Sequence, residues 1–230
     1  MNIEFLKYLE SLWNSSLKYQ LAVNEFTWGD QTITLPDFHE VTLMDGLEKV
    51  ALHVFAQGLP SGSKVLEMGT FMGGSSAIMA NANRKIAIDS IDAYIDRHDR
   101  ENPAINEMLE KYLGPGMPRT VDKVRGLLLQ YTNIKLHQGH SPRDFESWNT
   151  EIDVYVEDGL HHDPYLANNI NFWLPKLKSK GYLVLHDYRP FLPETHRGRF
   201  RDLERIVDKL LESDYKQIAK ISSLLILQKK

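Results

Sequence analysis

The chain has 230 residues, 42% hydrophobic and 25% charged, which fits one globular domain with a substantial core and excludes a disordered or fibrous form. A formal net charge of -4 gives no general pull toward nucleic acid or anionic lipid. The absence of cysteine excludes disulfides, thiolate zinc sites and cysteine nucleophiles, so a bound metal must rely on carboxylates, histidines and water.

The amino-terminal MNIEFLKYLE carries Glu4 and lacks a continuous apolar core, so no secretory signal is expected. No apolar run approaches the ~20 residues of a membrane span, and a cytoplasmic protein without membrane contact is the expectation. Phe5, Leu9, Leu12 and Trp13 recur at helical spacing over residues 2 to 20, predicting an amphipathic helix that packs on the domain or on a second copy, with a substrate lid as the alternative. Trp28-Gly29-Asp30 and Thr32-Ile33-Thr34 suggest a turn and a short extended piece. A helix from about Asp45 to Gln57 buries Leu47, Val50, Ala51 and Val54, and Gly58 and Pro60 stop it. Residues 1–60 therefore form a helical segment, a cap or dimer contact, ahead of a main domain at 61–230.

The main domain opens with KVLEMGTFMGGS, Lys64 to Ser75, which reads as a buried strand, a glycine-rich turn and a helix start. Glycines there allow close approach of a ligand to the backbone and to the positive helix end. Lys85 to Asp92 is a second strand ending on Asp92. Residues 96–119 form an excursion, with a short helix from Ile105 to Leu113 closed by Gly114-Pro115-Gly116 and Pro118. A helix from about Thr120 to Tyr131 precedes a strand at 133–138, and SPRDFESW, a short helix carrying the packing residues Phe145 and Trp148, precedes a strand at 152–157. Asp163 and Pro164 then open a helix whose stripe runs Leu166, Ile170, Trp173, Leu174 and Leu177, with Lys176, Lys178 and Lys180 toward its end and Gly181 beyond it. A strand at 182–185 emerges into His186-Asp187. A helix using Phe200, Leu203, Ile206, Val207 and Leu210 precedes an antiparallel hairpin over about 215–221 and 223–228.

Strands alternating with helices predict an α/β fold, a Rossmann-like doubly wound sheet of seven strands, mainly parallel, with helices on both faces and one reversed strand from the closing hairpin. Ligands in such sheets gather at the carboxyl ends of the strands. Those ends carry Glu67 and Gly69, Asp92, Gly139-His140-Ser141, Glu157-Asp158 and His186-Asp187. The turn lacks the dinucleotide spacing G-x-G-x-x-G, and the acid Glu67 suits a cationic ligand better than a pyrophosphate.

VLEMGTFMGGSS, the strand-end Asp92, VYVEDGLHH and LPKLKSKGYLVLHDY, in this order, resemble class I S-adenosylmethionine-dependent methyltransferases. The likeness runs over roughly residues 62–228 and points to the methyltransferase-domain-24-like, small-molecule O-methyltransferase group, related to antibiotic sugar O-methyltransferases and cephalosporin-hydroxylase-like proteins. It implies that the glycine turn meets the methionine moiety of S-adenosyl-L-methionine and that Asp92 grips the ribose hydroxyls, with Asp89 the weaker alternative. Gly69, Gly73 and Ser75 carry over with Asp92, and Glu67, Thr70, Ser141 and Asp158 complete the cofactor set.

Two strand-end carboxylates can hold a hard cation, and the same resemblance points to a divalent cation, Mg²⁺ or another, held by Asp158 and Asp187 with His186 beside them; the alternative is a metal-free site in which one carboxylate orients substrate. Asp158-Gly159-Leu160-His161 and His186-Asp187 match the family pattern in part. Leu160 stands where some sugar enzymes carry an acid and His186 replaces the first acid of the final pair, so His161 or His162 becomes the candidate proton acceptor, unless the two only cap or pack the loop before Asp163. The basic run His196 to Arg205 reads as a solvated helix start, or as a contact for an anionic substrate. The resulting expectation is O-methylation of a small-molecule hydroxyl, with no nucleic-acid partner and with the N-terminal helices available for homo-oligomer contact. The alternatives are an iron-dependent oxygenase built from the same histidines and acids, and a non-catalytic cofactor-binding member.

Overall fold

The computed structural model describes residues 2–13, 25–95, 103–189 and 198–230. Helix α1 (Ile3–Trp13) buries Phe5, Leu6 and Leu9, and the expected continuation to residue 20 lies outside the described residues. A small antiparallel hairpin follows, β1 (Glu25–Trp28) with β2 (Gln31–Thr34), its turn made by Gly29 at φ +58°. Phe5 stacks on Trp28 with ring centroids 4.6 Å apart, which ties the hairpin to α1. Helix α2 (Gly46–Gln57) begins in a reciprocal capping box between Asp45 and Glu48.

The remaining strands are β3 (Lys64–Met68), β4 (Ala87–Asp92), β5 (Ile134–Gln138), β6 (Ile152–Glu157), β7 (Leu177–Leu185), β8 (Tyr215–Ile221) and β9 (Leu224–Lys229). They form one seven-stranded sheet in the order β5-β4-β3-β6-β7-β9-β8. Pairing is parallel from β5 through β7, and β9 alone is reversed, pairing antiparallel with both β7 and β8. The chain leaves β3 toward β4 and β5 on one side and returns to β6 and β7 on the other, so strand order reverses between β3 and β6. That reversal opens a crevice at their carboxyl ends, where Met68 is in register with Glu157.

The two-residue period of a strand sorts its side chains between the faces. Val65, Val154, Val156, Val184 and Ile226 join the core beneath α1, α2, α3 (Gly74–Ala82), α4 (Pro103–Leu113) and α5 (Val121–Leu127). Leu66, Met68, Tyr155, Leu183, Leu185, Leu225 and Leu227 face α6 (Tyr165–Trp173) and α7 (Arg201–Glu212). The N-terminal helices thus share one of the two cores of the sheet. Glu67 falls on the α3 face, and Glu157 falls on the α6 face.

The helix expected from Asp163 is shorter than its apolar stripe implied. It ends at Trp173, Leu174–Lys176 makes one 3-10 turn, and Leu177–Gly181 extends β7 instead of continuing the helix. Pro175 cannot donate to the helical ladder, and Leu177, 2% exposed, gains a sheet partner in Ile152. Asp163 still accepts from the Ala167 N–H at 3.2 Å, although the residue before the helix is Pro164. Helix α4 begins two residues before the expected Ile105, with Pro103 at its first position, where its missing N–H costs nothing. The short helix expected in SPRDFESW is a single 3-10 turn, Arg143–Phe145.

Candidate active site

The glycine turn is built around a buried carboxylate. Glu67 is fully buried and accepts hydrogen bonds from the hydroxyls of Ser75, at 2.5 Å, Ser76 and Ser90. Thr70 joins the network through Ser90, with 2.7 Å between the hydroxyl oxygens. Burial pushes Glu67 up to about 7, against the three serine hydrogen bonds that favour its charged form. Three residues expected at the cofactor, Glu67, Thr70 and Ser75, are therefore turned into the fold, where they brace the turn from beneath. The sequence carried the signal for this in its Ser75-Ser76 pair and in Ser90, which strand register places beside Glu67.

The glycines serve chain crossing. Gly69 has φ +91°, and a Cβ there would stand 2.2 Å from the Asp158 carbonyl oxygen. A Cβ on Gly74 would lie 2.8 Å from the backbone of Val41 and Thr42, and Gly73, at φ +85°, precedes α3 in the left-handed region. The turn thereby brings the end of β3 against the end of β6, within reach of both Asp92 and Asp158.

Asp92 is at the carboxyl end of β4, as expected from the sequence. Its Oδ2 accepts from the Phe71 N–H at 2.8 Å and from Arg119 Nη1 at 3.0 Å, and its Oδ1 accepts from the Tyr94 N–H at 2.5 Å. Arg119 also donates to the Phe71 carbonyl at 3.1 Å and lies over the Phe71 and Tyr94 rings. Nothing in GPGMPRT marks that arginine as a partner. Asp89, the weaker alternative, is bonded to His137 at 2.7 Å. Ser141 accepts from the indole N–H of Trp173 at 2.8 Å.

Across the crevice the ends of β6 and β7 bring acids and imidazoles together. His161 Nε2 lies 3.3 Å from Asp187 Oδ2 and 3.9 Å from Asp158 Oδ1. Asp158, His161 and Asp187 each offer a ligand atom, all within 4.8 Å of one another. Burial draws the His161 pKa down, but the hydrogen bond to Asp187 and the charges of Asp158, Asp187 and Glu157 outweigh it, and the net shift is upward. His162 points elsewhere: its side chain is exposed, its Nδ1 lies 3.3 Å from the Asp163 carbonyl and its ring meets Tyr165 edge-on.

His186, expected as a metal ligand, has both ring nitrogens engaged. Nδ1 is 2.8 Å from Asp158 Oδ1 and Nε2 is 3.3 Å from Glu48 Oε2. His186 Nδ1 also lies 3.8 Å from Asp187 Oδ1, whereas the imidazole whose Nε2 faces both strand-end carboxylates without a further acid on its other nitrogen is His161. Burial opposes charge on His186, yet Asp158 and Glu48 hold its pKa well above the ordinary value. Burial likewise opposes charge on Glu48, and the bonds from His186 and Ser223 outweigh it, drawing that carboxylate down. Beneath the site Glu157 is wholly buried, accepts from the Tyr155 hydroxyl and from the Gly159 N–H at 3.1 Å, and is raised to about 7 by burial.

Of the basic run, residues 196 and 197 lie outside the described residues, and Arg205 pairs with Asp163 at 2.5 Å and Asp202 at 3.3 Å. Those bonds fit the solvated helix reading. No helix among the described residues is long and apolar enough to cross a membrane.

Residues 66–188, more than half of the chain, match the family described as a methyltransferase domain. No curated protein matches the sequence. Among solved structures, the SAH-bound Podospora anserina methyltransferase PaMTH1 superposes with a TM-score of 0.60 at 12% identity, covering 100% of this chain and 97% of that one. An O-methyltransferase from Bacillus cereus in complex with SAH gives 0.55 at 11% identity, covering 99% and 90%. The O-methyltransferase NovP gives 0.52 at 15% identity, covering 80% and 81%. At these identities the superpositions establish the fold.

Proposed function

We propose that this chain, which belongs to the methyltransferase domain family, moves the methyl group of S-adenosylmethionine to a hydroxyl oxygen of a small molecule at the mouth of the β3–β6 crevice. The observation that carries the reading is the convergence of Asp158, His161 and Asp187 at the strand ends, across from the glycine turn and Asp92. The O-methyltransferases among the superposed structures support the same class of acceptor.

In this reading Asp92 would accept the ribose hydroxyls, and the glycine turn of Gly69 and Gly73 would hold the methionine end. An ionised carboxylate has about four acceptor positions. Phe71, Tyr94 and Arg119 take three of them, so cofactor binding shares Asp92 with Arg119 or displaces it. Ser141 stands at the end of β5 on the same rim.

S-adenosylmethionine, when bound, would supply the methyl on a sulfonium whose carbon–sulfur electrons would pass to sulfur as the acceptor oxygen takes the methyl carbon, and His161 in its neutral form would take the hydroxyl proton at Nε2. Asp187, 3.3 Å away, then stabilises the imidazolium. The carboxylates of Asp158 and Asp187 form a donor set that fits a hard divalent cation such as magnesium or manganese, leaving the imidazole of His161 for the proton. Asp158 and Asp187 would hold it, and when bound it would lower the acceptor hydroxyl's pKa. An iron oxygenase would need two histidines and one carboxylate, whereas the group here has one histidine and two carboxylates, with His186 committed to Asp158 and Glu48.

Calorimetric titration with S-adenosylmethionine, followed by a small-metabolite screen using methyl-labelled cofactor, tests the reading. Binding and label transfer to a hydroxyl are the expected results. No binding removes the cofactor assignment, and transfer to nitrogen or carbon removes the O-methylation.

A further inference from the structure

Glu48 lies on α2, in the segment ahead of the methyltransferase match, yet it is 2% exposed and its carboxylate faces the strand ends. Oε1 accepts from the Ser223 N–H at 2.7 Å and from the Ser223 hydroxyl at 2.6 Å. Oε2 accepts from the Asp45 N–H at 2.8 Å and lies 3.3 Å from His186 Nε2. His186, 4% exposed, meets Asp158 Oδ1 at 2.8 Å through its other nitrogen. An unbroken chain of bonds therefore runs from Glu48 through His186 to Asp158. Ser223 extends it, since its carbonyl accepts from the Tyr188 N–H at 2.9 Å and so holds the residue that follows Asp187.

A helix cap alone does not account for this. The capping box uses one contact of Glu48, and a capping carboxylate is equally served at the surface, where it avoids the cost of desolvation. With both nitrogens of His186 bonded, a ring flip would place carbons against both carboxylates. The imidazole has one orientation, and it is set from Glu48.

We propose that Glu48 is a positioning residue of the active site: acting through His186, it fixes the Asp158 carboxylate in the orientation that receives the cation. The proposal rests on the assignment of Asp158 and Asp187 as the cation-holding pair. It gives the N-terminal segment a part in the site that the methyltransferase match does not cover. Hydrogen-bonded partners that steer a ligating carboxylate typically change metal affinity about 10–100-fold.

The test titrates Mn²⁺ alone into the full chain by calorimetry. Glu48→Gln is expected to bind Mn²⁺ about 10–100-fold more weakly. Its affinity for S-adenosylhomocysteine should stay within about twofold of wild type, because that site draws on Asp92 and the glycine turn. In turnover kcat falls at fixed Mn²⁺ with the KM for S-adenosylmethionine unchanged, and raising Mn²⁺ restores part of the rate. Asp45→Ala, which removes the other half of the capping box, should lower the Tm and leave Mn²⁺ affinity intact. His186→Gln provides a second variant should Glu48→Gln not fold; it lacks the rigid ring that bonds Glu48 and Asp158 together, and it should show the same weakening. Wild-type Mn²⁺ affinity in either variant, or equal weakening in Asp45→Ala, overturns the proposal. A wild-type chain that binds no Mn²⁺ is a distinct result, which removes the cation assignment and the proposal with it.

Discussion

The guanidinium of Arg119 lies 3.0 Å from the carboxylate of Asp92, with 4% of the first side chain and 12% of the second open to solvent. The acid expected to hold the cofactor's ribose is therefore already one half of a nearly closed ion pair. Removing either half leaves the other desolvated and short of its partner.

Asp92→Asn keeps the shape and loses the charge. Its affinity for S-adenosylhomocysteine should fall about 10–100-fold, the equivalent of one charge-assisted hydrogen bond, measured by calorimetry. Asp92→Ala should in addition destabilise the fold by about 3 kcal/mol in a denaturant titration, since the buried Arg119 charge loses its counter-ion. Unchanged ligand affinity in Asp92→Asn would move the ribose contact elsewhere.

Glu67 makes stability depend on pH. Its folded pKa is about 7 against an ordinary 4.5, so the folded chain holds the proton more tightly than the unfolded one. Its contribution is greatest below pH 4.5, falls as pH rises from there to about 7, and is flat above, by roughly 3 kcal/mol in all. Glu67→Gln cannot titrate. The wild-type Tm minus the variant Tm should therefore drop by roughly 6–12 °C between pH 4.5 and 8, read from thermal melts. A difference that stays constant with pH would show that Glu67 is ionised in the fold.

Gly69→Ala combines a left-handed backbone with a Cβ 2.2 Å from the Asp158 carbonyl oxygen, and neither main chain can yield without opening the β3–β6 crevice. The variant should lose about 3 kcal/mol or more of stability and also bind S-adenosylhomocysteine more weakly. Gly116→Ala serves as the comparison, since its Cβ meets nothing within 4 Å. There only the positive φ is penalised, by roughly 1 kcal/mol. Equal losses in the two would remove the close-approach argument.

Asp187 sits at φ +60° just beyond β7 and shares the site with His161 and Asp158. Asp187→Asn should lower kcat at least about 100-fold and abolish Mn²⁺ binding, while affinity for S-adenosylhomocysteine is retained. Exhaustive chelation of the wild-type enzyme should reproduce that loss, reversed by Mn²⁺. Activity that survives both treatments would leave His161 and the carboxylates to act without a cation.

The alternation of strands and helices, the reversed strand near the C-terminus and the glycine turn after β3 were legible from the sequence alone. Each is written in local periodicity and turn chemistry, a two-residue or 3.6-residue repeat ended by glycine or proline. The placing of Asp92, Asp158 and Asp187 at strand ends followed from the same reading. Side-chain direction did not. Glu67 and Ser75 belong to a cofactor motif in the sequence, yet they bond to each other under α3, because strand parity turns Glu67 to the buried face. His161 and His186 are chemically alike in the sequence and differ in the fold only by neighbours. Glu48 takes both His186 and Ser223 from positions 138 and 175 residues distant along the chain. Contacts of that range exist only once the sheet has closed, when a buried charge must find its partners among whatever side chains the topology has brought within 3 Å or so.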